Sequence, residues 1–376
     1  MKIIIAPDSF KESLTALEVA NAIEKGIKKV IPNAECIKVP MADGGEGTVQ
    51  SLVDALSGQL LPVNVTDPLG QEITGFLGVS GDRKVAIIEM AAASGLHLVP
   101  IQQRNPLKTT SYGTGELIRY ALDLGVEKIL LGIGGSATND GGVGMLQALG
   151  AKFLDIEGKE IAWGGEQLAN IAHVDLSHLD SRLQSIKIEV ACDVDNPLCG
   201  EYGASAVFGP QKGATAEMVT ILDNALLHFS KIVEKELSVN IRDKAGAGAA
   251  GGMGGGLQLL PHVELKAGVD IVIEAVSLAE KIANTDLVIT GEGRMDAQSI
   301  HGKTPIGIAK IAKRYNKPTI AIVGSLRDDY EVVYKYGIDA VFPIIRQVGT
   351  LEQTLNQAEV NLISTAQNVV KLYQMR

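Results

Sequence analysis

The sequence has few cysteines, few aromatic residues and no block of positive charge. Its three cysteines, Cys36, Cys192 and Cys199, are odd in number and form no Cys-x-x-Cys pair, which argues against a disulfide framework or a zinc site and fits reduced thiols in the cytosol. Lysine and arginine number 34 against 44 acidic residues, a formal net charge of −10. Without a basic run, a nucleic-acid partner is not expected.

Long apolar runs are also absent. The short apolar run at residues 3–6 is too brief for the core of a signal peptide, and no run reaches membrane-spanning length. We therefore expect a soluble cytoplasmic protein without a membrane partner. The sequence is compatible with a homo-oligomer but does not fix the number of copies.

Glycine, by contrast, is abundant, with 42 residues among 376, and the length predicts about two domains. Both ends of the chain alternate apolar β-branched runs with helical patterns, which is typical of parallel α/β sheets. The predicted strands there are residues 2–6, 37–39, 286–290, 319–323 and 340–343. The predicted helices there are residues 17–30, 48–56, 306–315, 328–336 and 351–372.

The middle of the chain reads differently. A hairpin is predicted at residues 63–79, followed by strands near residues 85–90, 128–132 and 186–191. The simplest α/β architecture is a Rossmann-like parallel-sheet domain formed by residues 1–60 and 285–376, with an inserted α/β domain of mixed sheet at residues 61–284. In open sheets of this kind, ligands bind at loops beyond the carboxyl ends of strands.

Two such loops combine acids with hydroxyl groups, a lysine or glycines. APDSFKES carries Asp8, Ser9 and Lys11 after the first strand, and MADGGEGT carries Asp43, Gly44, Gly45 and Glu46 after the second. The carboxylates could accept from substrate hydroxyls or join a magnesium shell. The structural alternatives are a helix cap at Ser13 or Thr15 with Glu18, and an ordinary Asp-Gly turn.

The richest loop, GIGGSATNDGG, follows the strand predicted at residues 128–132 and leads into a helix near Gly142. Its exposed N–H groups suit an anion, which makes Gly134, Gly135, Ser136, Asn139 and Asp140 candidates for binding nucleotide phosphates. Gly132, Gly134 and Ala137 also fit G-x-G-x-x-A, with Asp155 near where a ribose-binding acid would lie. An NAD(P)-dependent oxidoreductase acting on a small hydroxy acid is therefore the alternative.

Further acids follow two later apolar strands, and loop carboxylates suit a general base or a metal ligand. They are Asp193 in ACDVDNPL, and Glu292 and Asp296 in GEGRMDAQS. Single lysines are usually solvated, which is the expectation for Lys212 and Lys303. The run GAGAAG at residues 246–251 is interpreted as close helix packing or a mobile substrate loop. Together these features favour magnesium-assisted phosphoryl transfer.

Eight motifs, in this order, closely resemble those of the bacterial type I glycerate kinase family: APDSFKES, MADGGEGT, TTSYGTGELI, GIGGSATNDGG, CDVDNPLCG, VFGPQKGA, GAGAAGGMGGGL and TGEGRMDAQSIHGKTP. The resemblance runs from residue 3 to about residue 325. It implies an ATP-dependent kinase that phosphorylates D-glycerate with Mg²⁺, in two α/β domains with the active site in the cleft between them. The product favoured is 2-phosphoglycerate, with 3-phosphoglycerate left open.

On this basis each candidate residue receives a hypothetical role. Glycerate is assigned to Asp8, Ser9, Asp43, Gly44, Gly45 and Glu292, and the nucleotide to the GIGGSATNDGG residues named above. Lys11 would pair with the substrate carboxylate or the transferred phosphoryl group. Asp193 is the candidate base or magnesium carrier, with Asp296 and Glu292 in reserve.

Overall fold

The computed structural model describes residues 1–45, 47–300 and 303–375, which form two compact units. Unit 1 comprises Met1–Asp43, Gln50–Ser57 and Ala267–Arg376, and unit 2 comprises Gly44–Val49 and Gly58–Lys266. Each unit is built around a sheet of its own.

The strands of the described residues, in chain order, are β1 Lys2–Pro7, β2 Glu35–Lys38, β3 Gln59–Thr66, β4 Glu72–Val79, β5 Val85–Glu89, β6 Lys128–Gly132, β7 Lys152–Leu154, β8 His173–Asp175, β9 Lys187–Ala191, β10 Val263–Lys266, β11 Leu287–Gly291, β12 Arg294–Met295, β13 Thr319–Val323, β14 Ser325–Leu326 and β15 Ala340–Pro343. The α-helices are α1 Ala16–Lys28, α2 Thr48–Ala55, α3 Ala91–Ser94, α4 Tyr112–Asp123, α5 Val143–Ala148, α6 Ala204–Phe208, α7 Ala216–Leu237, α8 Ala249–Leu257, α9 Gly268–Ala275, α10 Leu278–Ala283, α11 Thr304–Arg314, α12 Leu351–Asn356 and α13 Ala358–Tyr373. The 3₁₀ helices are Leu96–Leu98, Ile101–Gln103, Gly165–Asn170, Ser181–Gln184, Pro210–Lys212, Ala297–Ile300 and Tyr330–Tyr336.

Unit 1 contains a five-stranded parallel sheet in the order β15-β13-β11-β1-β2. One face packs on α1 and α13, where Val19 and Ile23 meet Leu362 and Val369 in one apolar core. The two helices approach closely because Gly26 has no Cβ: a side chain there would collide with Ala366. The other face packs on α11 and the 3₁₀ helix Tyr330–Tyr336. Apolar residues on both faces explain the continuous β-branched strands.

Unit 2 contains a six-stranded mixed sheet in the order β10-β9-β6-β5-β4-β3. The strands from β10 to β5 are parallel, whereas β4 and β3 add an antiparallel hairpin. The large apolar core on one face includes residues of α4, α5, α7 and α8. Side chains of β9 alternate between the two faces of the sheet, and Ile188 and Val190 belong to this core. Glu189, which lies between them in the sequence, is buried as well. Although burial alone would raise its pKa, ion pairs with Lys128, Lys187 and Lys266 lower the pKa to about 2.

The α/β fold predicted from the sequence, with a parallel sheet from the two ends of the chain and a mixed sheet from its middle, is confirmed. Two predicted helices differ. Residues 328–336 form the short 3₁₀ helix Tyr330–Tyr336, which ends at left-handed Gly337. The helix predicted at residues 351–372 is two helices, α12 and α13, separated at Gln357.

No helix in the described ranges is both long and apolar enough to span a bilayer.

Candidate active site

Asp8 follows β1 and lies at the centre of a carboxylate-rich loop cluster in unit 1. Its carboxylate accepts hydrogen bonds from the Ser9 amide at 2.6 Å and from the Thr304 hydroxyl at 2.8 Å. Burial, reinforced by the nearby Asp43 carboxylate, raises the pKa of Asp8 to about 6, while Thr304, Ser9 and Lys11 act in the opposite direction. An acid with this pKa can exchange a proton near neutral pH.

Glu292 belongs to the same cluster and is 7% exposed. Its carboxylate accepts from the Ser299 hydroxyl at 2.6 Å and from the Lys303 ammonium at 3.4 Å. Burial raises its pKa, and the negative charge of Asp8 contributes in the same direction. Lys303, expected to be solvated, is thus a partly buried partner of Glu292.

Asp296, by contrast, is engaged in the loop that carries it. Its carboxylate accepts from the Gln298 amide at 3.0 Å and lies 3.4 Å from the Arg294 guanidinium, and the residue is 2% exposed. These contacts close the turn into the 3₁₀ helix Ala297–Ile300. Asp296 is therefore placed to hold the loop.

Both interpretations of the APDSFKES loop, as a helix cap and as part of a binding site, are compatible with the structure. Thr15 and Glu18 form a reciprocal capping box at the start of α1, as the sequence alternative predicts, whereas the Ser13 hydroxyl donates to the Leu355 carbonyl. Asp8 takes no part in this cap. Lys11 is exposed and acts electrostatically on Asp8. The cap therefore accounts for the helix start and leaves Asp8 and Lys11 available for chemistry.

The structure divides the MADGGEGT loop. Asp43 belongs to unit 1 and acts on Asp8, whereas Gly44 and Gly45 belong to unit 2. A Cβ on Gly132 would lie 3.1 Å from the Gly44 carbonyl oxygen, and one on Gly134 would lie 3.9 Å from the Gly45 Cα. Gly44 and Gly45 thus pack beside the GIGGSATNDGG loop. Glu46 lies outside the described residues.

The GIGGSATNDGG loop has an exposed tip and a buried base. Gly134 and Gly135 are exposed, with Gly135 at φ 74°, whereas Asn139 is 0% and Asp140 1% exposed. The Asp140 carboxylate accepts from the Ser111 amide and hydroxyl and from the Gly142 and Gly144 amides. Burial raises its pKa despite these bonds. Asn139 donates to the Ser205 hydroxyl at 2.9 Å. Asn139 and Asp140 therefore hold the loop from inside.

Lys212 is the second lysine whose environment differs from the expected solvated one. It is only 2% exposed, and its Nζ donates to Ser136 Oγ at 2.6 Å and to the Thr138 carbonyl at 2.7 Å. Burial lowers its pKa to about 7, partly opposed by the charge of Asp140. The local signal that could have identified it is weak: Gly209, Pro210 and Gly213 bracket the residue, and such residues permit close backbone approach.

The glycine run at residues 246–256 packs closely, as one of its two interpretations predicts. Ala250, Gly251 and Gly252 are successive left-handed residues at φ 52°, 69° and 91°. The Gly251 carbonyl accepts from the Gly141 amide at 3.0 Å, and a Cβ on Gly251 would fall on the Thr138 carbonyl oxygen. The run thus supports the base of the GIGGSATNDGG loop.

Asp193 is exposed and lies just beyond β9. In the parallel register Ala191 pairs with Gly132, and Gly132 pairs with Glu89. Asp193 and Glu89 therefore flank the start of the GIGGSATNDGG loop at one edge of the sheet. Glu89, which ends β5 and accepts from the Val49 amide at 2.9 Å, was not a sequence candidate, although it ends an apolar strand as the others do.

The carboxylates of Asp193 and Glu89 suit a hard cation, because carboxylate oxygens are preferred ligands of Mg²⁺. No group of three or more His, Cys, Asp or Glu ligands occurs in the described portion of the chain. Mg²⁺ is commonly held by one or two carboxylates together with substrate phosphates. Asp193 and Glu89 fit that pattern.

The dinucleotide alternative loses its support in the structure. Asp155 follows β7, which pairs with β8 in a separate two-stranded sheet. Its carboxylate accepts from the Glu157 and Lys159 amides and closes a turn. A ribose-binding acid would instead end a strand of the same sheet as the glycine loop.

Comparison with known proteins shows the family to which the chain belongs. The sequence matches the glycerate kinase family over residues 3–374. A glycerate kinase of Haemophilus influenzae is 67% identical over 372 residues, which cover 99% of this chain and 98% of the relative. The glycerate 2-kinase of Escherichia coli is 54% identical over 369 residues, with 98% and 97% covered. A crystal structure of a Salmonella typhimurium protein provisionally assigned as glycerate kinase 2 is 56% identical, with a TM-score of 0.93 and 100% of each chain covered. The chain therefore belongs to the glycerate kinase family.

Proposed function

We propose that the protein is an ATP-dependent kinase that phosphorylates D-glycerate with Mg²⁺. Family membership across residues 3–374 is the observation that carries the reaction class. Transfer to the 2-hydroxyl is supported by the name of the Escherichia coli relative, a glycerate 2-kinase. The type I subclass is proposed on the eight sequence motifs alone.

The loops of unit 1 are proposed to bind glycerate. Asp8 is the better candidate for the proton acceptor, because it is partly buried, beside Asp43, with a pKa raised to about 6. It would take the proton of the attacking hydroxyl, a role that the sequence alone gave to Asp193. Ser9, Asp43 and Glu292 would accept from or orient the remaining polar groups, and Lys11 would pair with an anionic group of the substrate.

The loops of unit 2 are proposed to hold the nucleotide phosphates. The exposed amides of Gly134 and Gly135 and the Ser136 hydroxyl would donate to phosphate oxygens, with Gly44 and Gly45 beside them. Asn139 and Asp140 keep the loop in shape. Asp193, with Glu89, would carry Mg²⁺, which when bound supplies charge neutralisation to the phosphates.

One coupled assay tests the proposal. Purified protein with ATP, Mg²⁺ and D-glycerate should release ADP only when glycerate is present. The ³¹P signal of the product distinguishes the position, because a phosphate on carbon 2 couples to one proton and a phosphate on carbon 3 couples to two. Absence of glycerate-dependent ADP release would refute the kinase, and a nicotinamide absorbance change with a hydroxy acid would restore the oxidoreductase.

A further inference from the structure

Lys212 is a buried amine that has no ion-pair partner among the residues described. Its two hydrogen bonds reach neutral acceptors, Ser136 Oγ and the Thr138 carbonyl. The charged group that acts on it is Asp140, whose carboxylate already accepts four hydrogen bonds from Ser111, Gly142 and Gly144. Gly213, the residue after Lys212, packs against the backbone carbonyl of Arg104, which carries no negative charge. A buried cation in such surroundings is unfavourable without an anion.

The bonding pattern of Lys212 also matches a neutral amine. A neutral amine has two N–H groups, and the two acceptors seen here use both. A charged ammonium has three N–H groups, and its third would need another acceptor. Because Nζ donates to Ser136 Oγ, the Ser136 hydroxyl hydrogen is free to point elsewhere, and Ser136 borders the exposed tip at Gly134 and Gly135.

We propose that Lys212 is a positioning residue for the nucleotide phosphates: it orients the Ser136 hydroxyl as an outward donor, and its amine takes up one proton from the buffer when the phosphates bind. The inference rests on the proposed nucleotide site. A polyphosphate bound at the loop would bring negative charge towards Nζ in addition to that of Asp140, so that the charged form of the amine becomes favourable. The proton balance is one N–H bond formed for one proton removed from the buffer acid.

Isothermal titration calorimetry of the full-length protein with a non-hydrolysable ATP analogue and Mg²⁺ tests the proton uptake. At about pH 8, in two buffers of different ionisation enthalpy, the wild type should take up between about half a proton and one proton per nucleotide. The reason is that burial lowers the pKa of Lys212 to about 7 and a bound anion would raise it. Lys212→Arg keeps the cation but cannot titrate in this range, so it should bind with no uptake. Uptake that persists unchanged in Lys212→Arg, or that is absent in the wild type, would overturn the proposal.

Turnover kinetics test the positioning step. Lys212→Met should raise KM for ATP by about tenfold to a hundredfold, the range expected for losing a hydrogen bond to a charged group, with less effect on KM for glycerate. Lys159→Met is the matched control, because Lys159 is an exposed lysine of the same unit that pairs with Glu157. An unchanged KM for ATP in Lys212→Met would contradict the proposal.

Ser136→Ala provides a second measurement if Lys212→Met fails to fold. It removes the outward donor but keeps the amine, so KM for ATP should rise while proton uptake remains. Normal KM in a folded Ser136→Ala variant would exclude the positioning role. Failure of the wild type to bind the nucleotide at all would instead refute the proposed function, so the two failures are distinguishable.

Discussion

The two units use the same order of strand, loop and helix but present opposite chemistry. In unit 1 the loops gather the carboxylates of Asp8, Asp43 and Glu292, whereas in unit 2 they expose glycine amides above the buried amine of Lys212. Burial acts on both central groups, raising the pKa of Asp8 to about 6 and lowering that of Lys212 to about 7. Burial therefore brings the pKa values of an acid and of a base towards neutral pH from opposite sides. Near neutral pH each group can change its charge when a ligand binds.

The acidic side of this comparison is most sharply tested by Asp8→Asn. Removing a general base should lower kcat by about a hundredfold or more, because proton acceptance typically contributes that much. In the wild type, kcat/KM should decline as the pH falls through about 6, because Asp8 is then protonated. Steady-state kinetics over pH measure both effects.

The control for this experiment is Asp328→Asn, which alters an exposed aspartate of the same unit. It should leave kcat unchanged. A nearly normal kcat in Asp8→Asn would remove Asp8 as the base and return that role to Asp193.

The support of the unit 2 loop is tested by Gly251→Ala. The added Cβ would overlap the Thr138 carbonyl oxygen, so we expect the free energy of unfolding to fall by about 2–4 kcal/mol through overpacking and left-handed strain. Gly158→Ala is the matched control, since Gly158 also has positive φ but would meet nothing within 4 Å. It should cost only about 1 kcal/mol, the lower end for an L-residue in the left-handed conformation. Equal losses in urea unfolding would show that the close approach is unimportant.

The proposed division of labour between Asp8 and Asp193 is tested by Asp193→Asn. Loss of a magnesium ligand should raise the Mg²⁺ concentration for half-maximal activity by about tenfold, the lower end for loss of a metal-site partner. Asp195→Asn, an exposed neighbour, serves as control. A fall in kcat that saturating Mg²⁺ does not restore would instead support the base role of Asp193.

The smallest expected effect is on stability. The folded-state pKa of Asp8, about 6, exceeds its ordinary value of 3.8, so the folded state binds a proton more tightly and loses stability as the pH rises from 3.8 to 6. Above pH 6 that loss is complete. Asp8→Asn cannot ionise and should raise Tm at about pH 7.5 by about 2–4 °C for each kcal/mol of that loss, with a smaller gain near pH 5. A lower Tm at both pH values would mean that Asp8 stabilises the fold through its hydrogen bonds.

Much of the fold could be predicted because its strands are continuous apolar runs. The predicted strands at residues 128–132 and 319–323 agree with β6 and β13. The prediction failed for residues 328–336, where apolar spacing does not distinguish an α-helix from a short 3₁₀ helix ended by Gly337.

The candidate site was predictable only in part. Strand-end position gives Asp8, Ser136 and Asp193 as candidates for the proposed site, because it depends on local sequence order. The burial of Lys212 depends on Ser136 and Thr138, which lie over 70 positions earlier. The side-by-side placement of Gly44 and Gly132 likewise needs the folded chain. No local pattern encodes such contacts.

The left-handed segment at Ala250–Gly252 bears on efforts to make a heat-tolerant form of the protein. A common engineering rule replaces glycine with alanine to reduce the entropy of the unfolded chain. At φ 52°, however, Ala250 already occupies a conformation in which its methyl group is disfavoured. At this position the stabilising substitution is Ala250→Gly, the reverse of the rule. Replacing Gly251 or Gly252 with alanine would instead destabilise the segment.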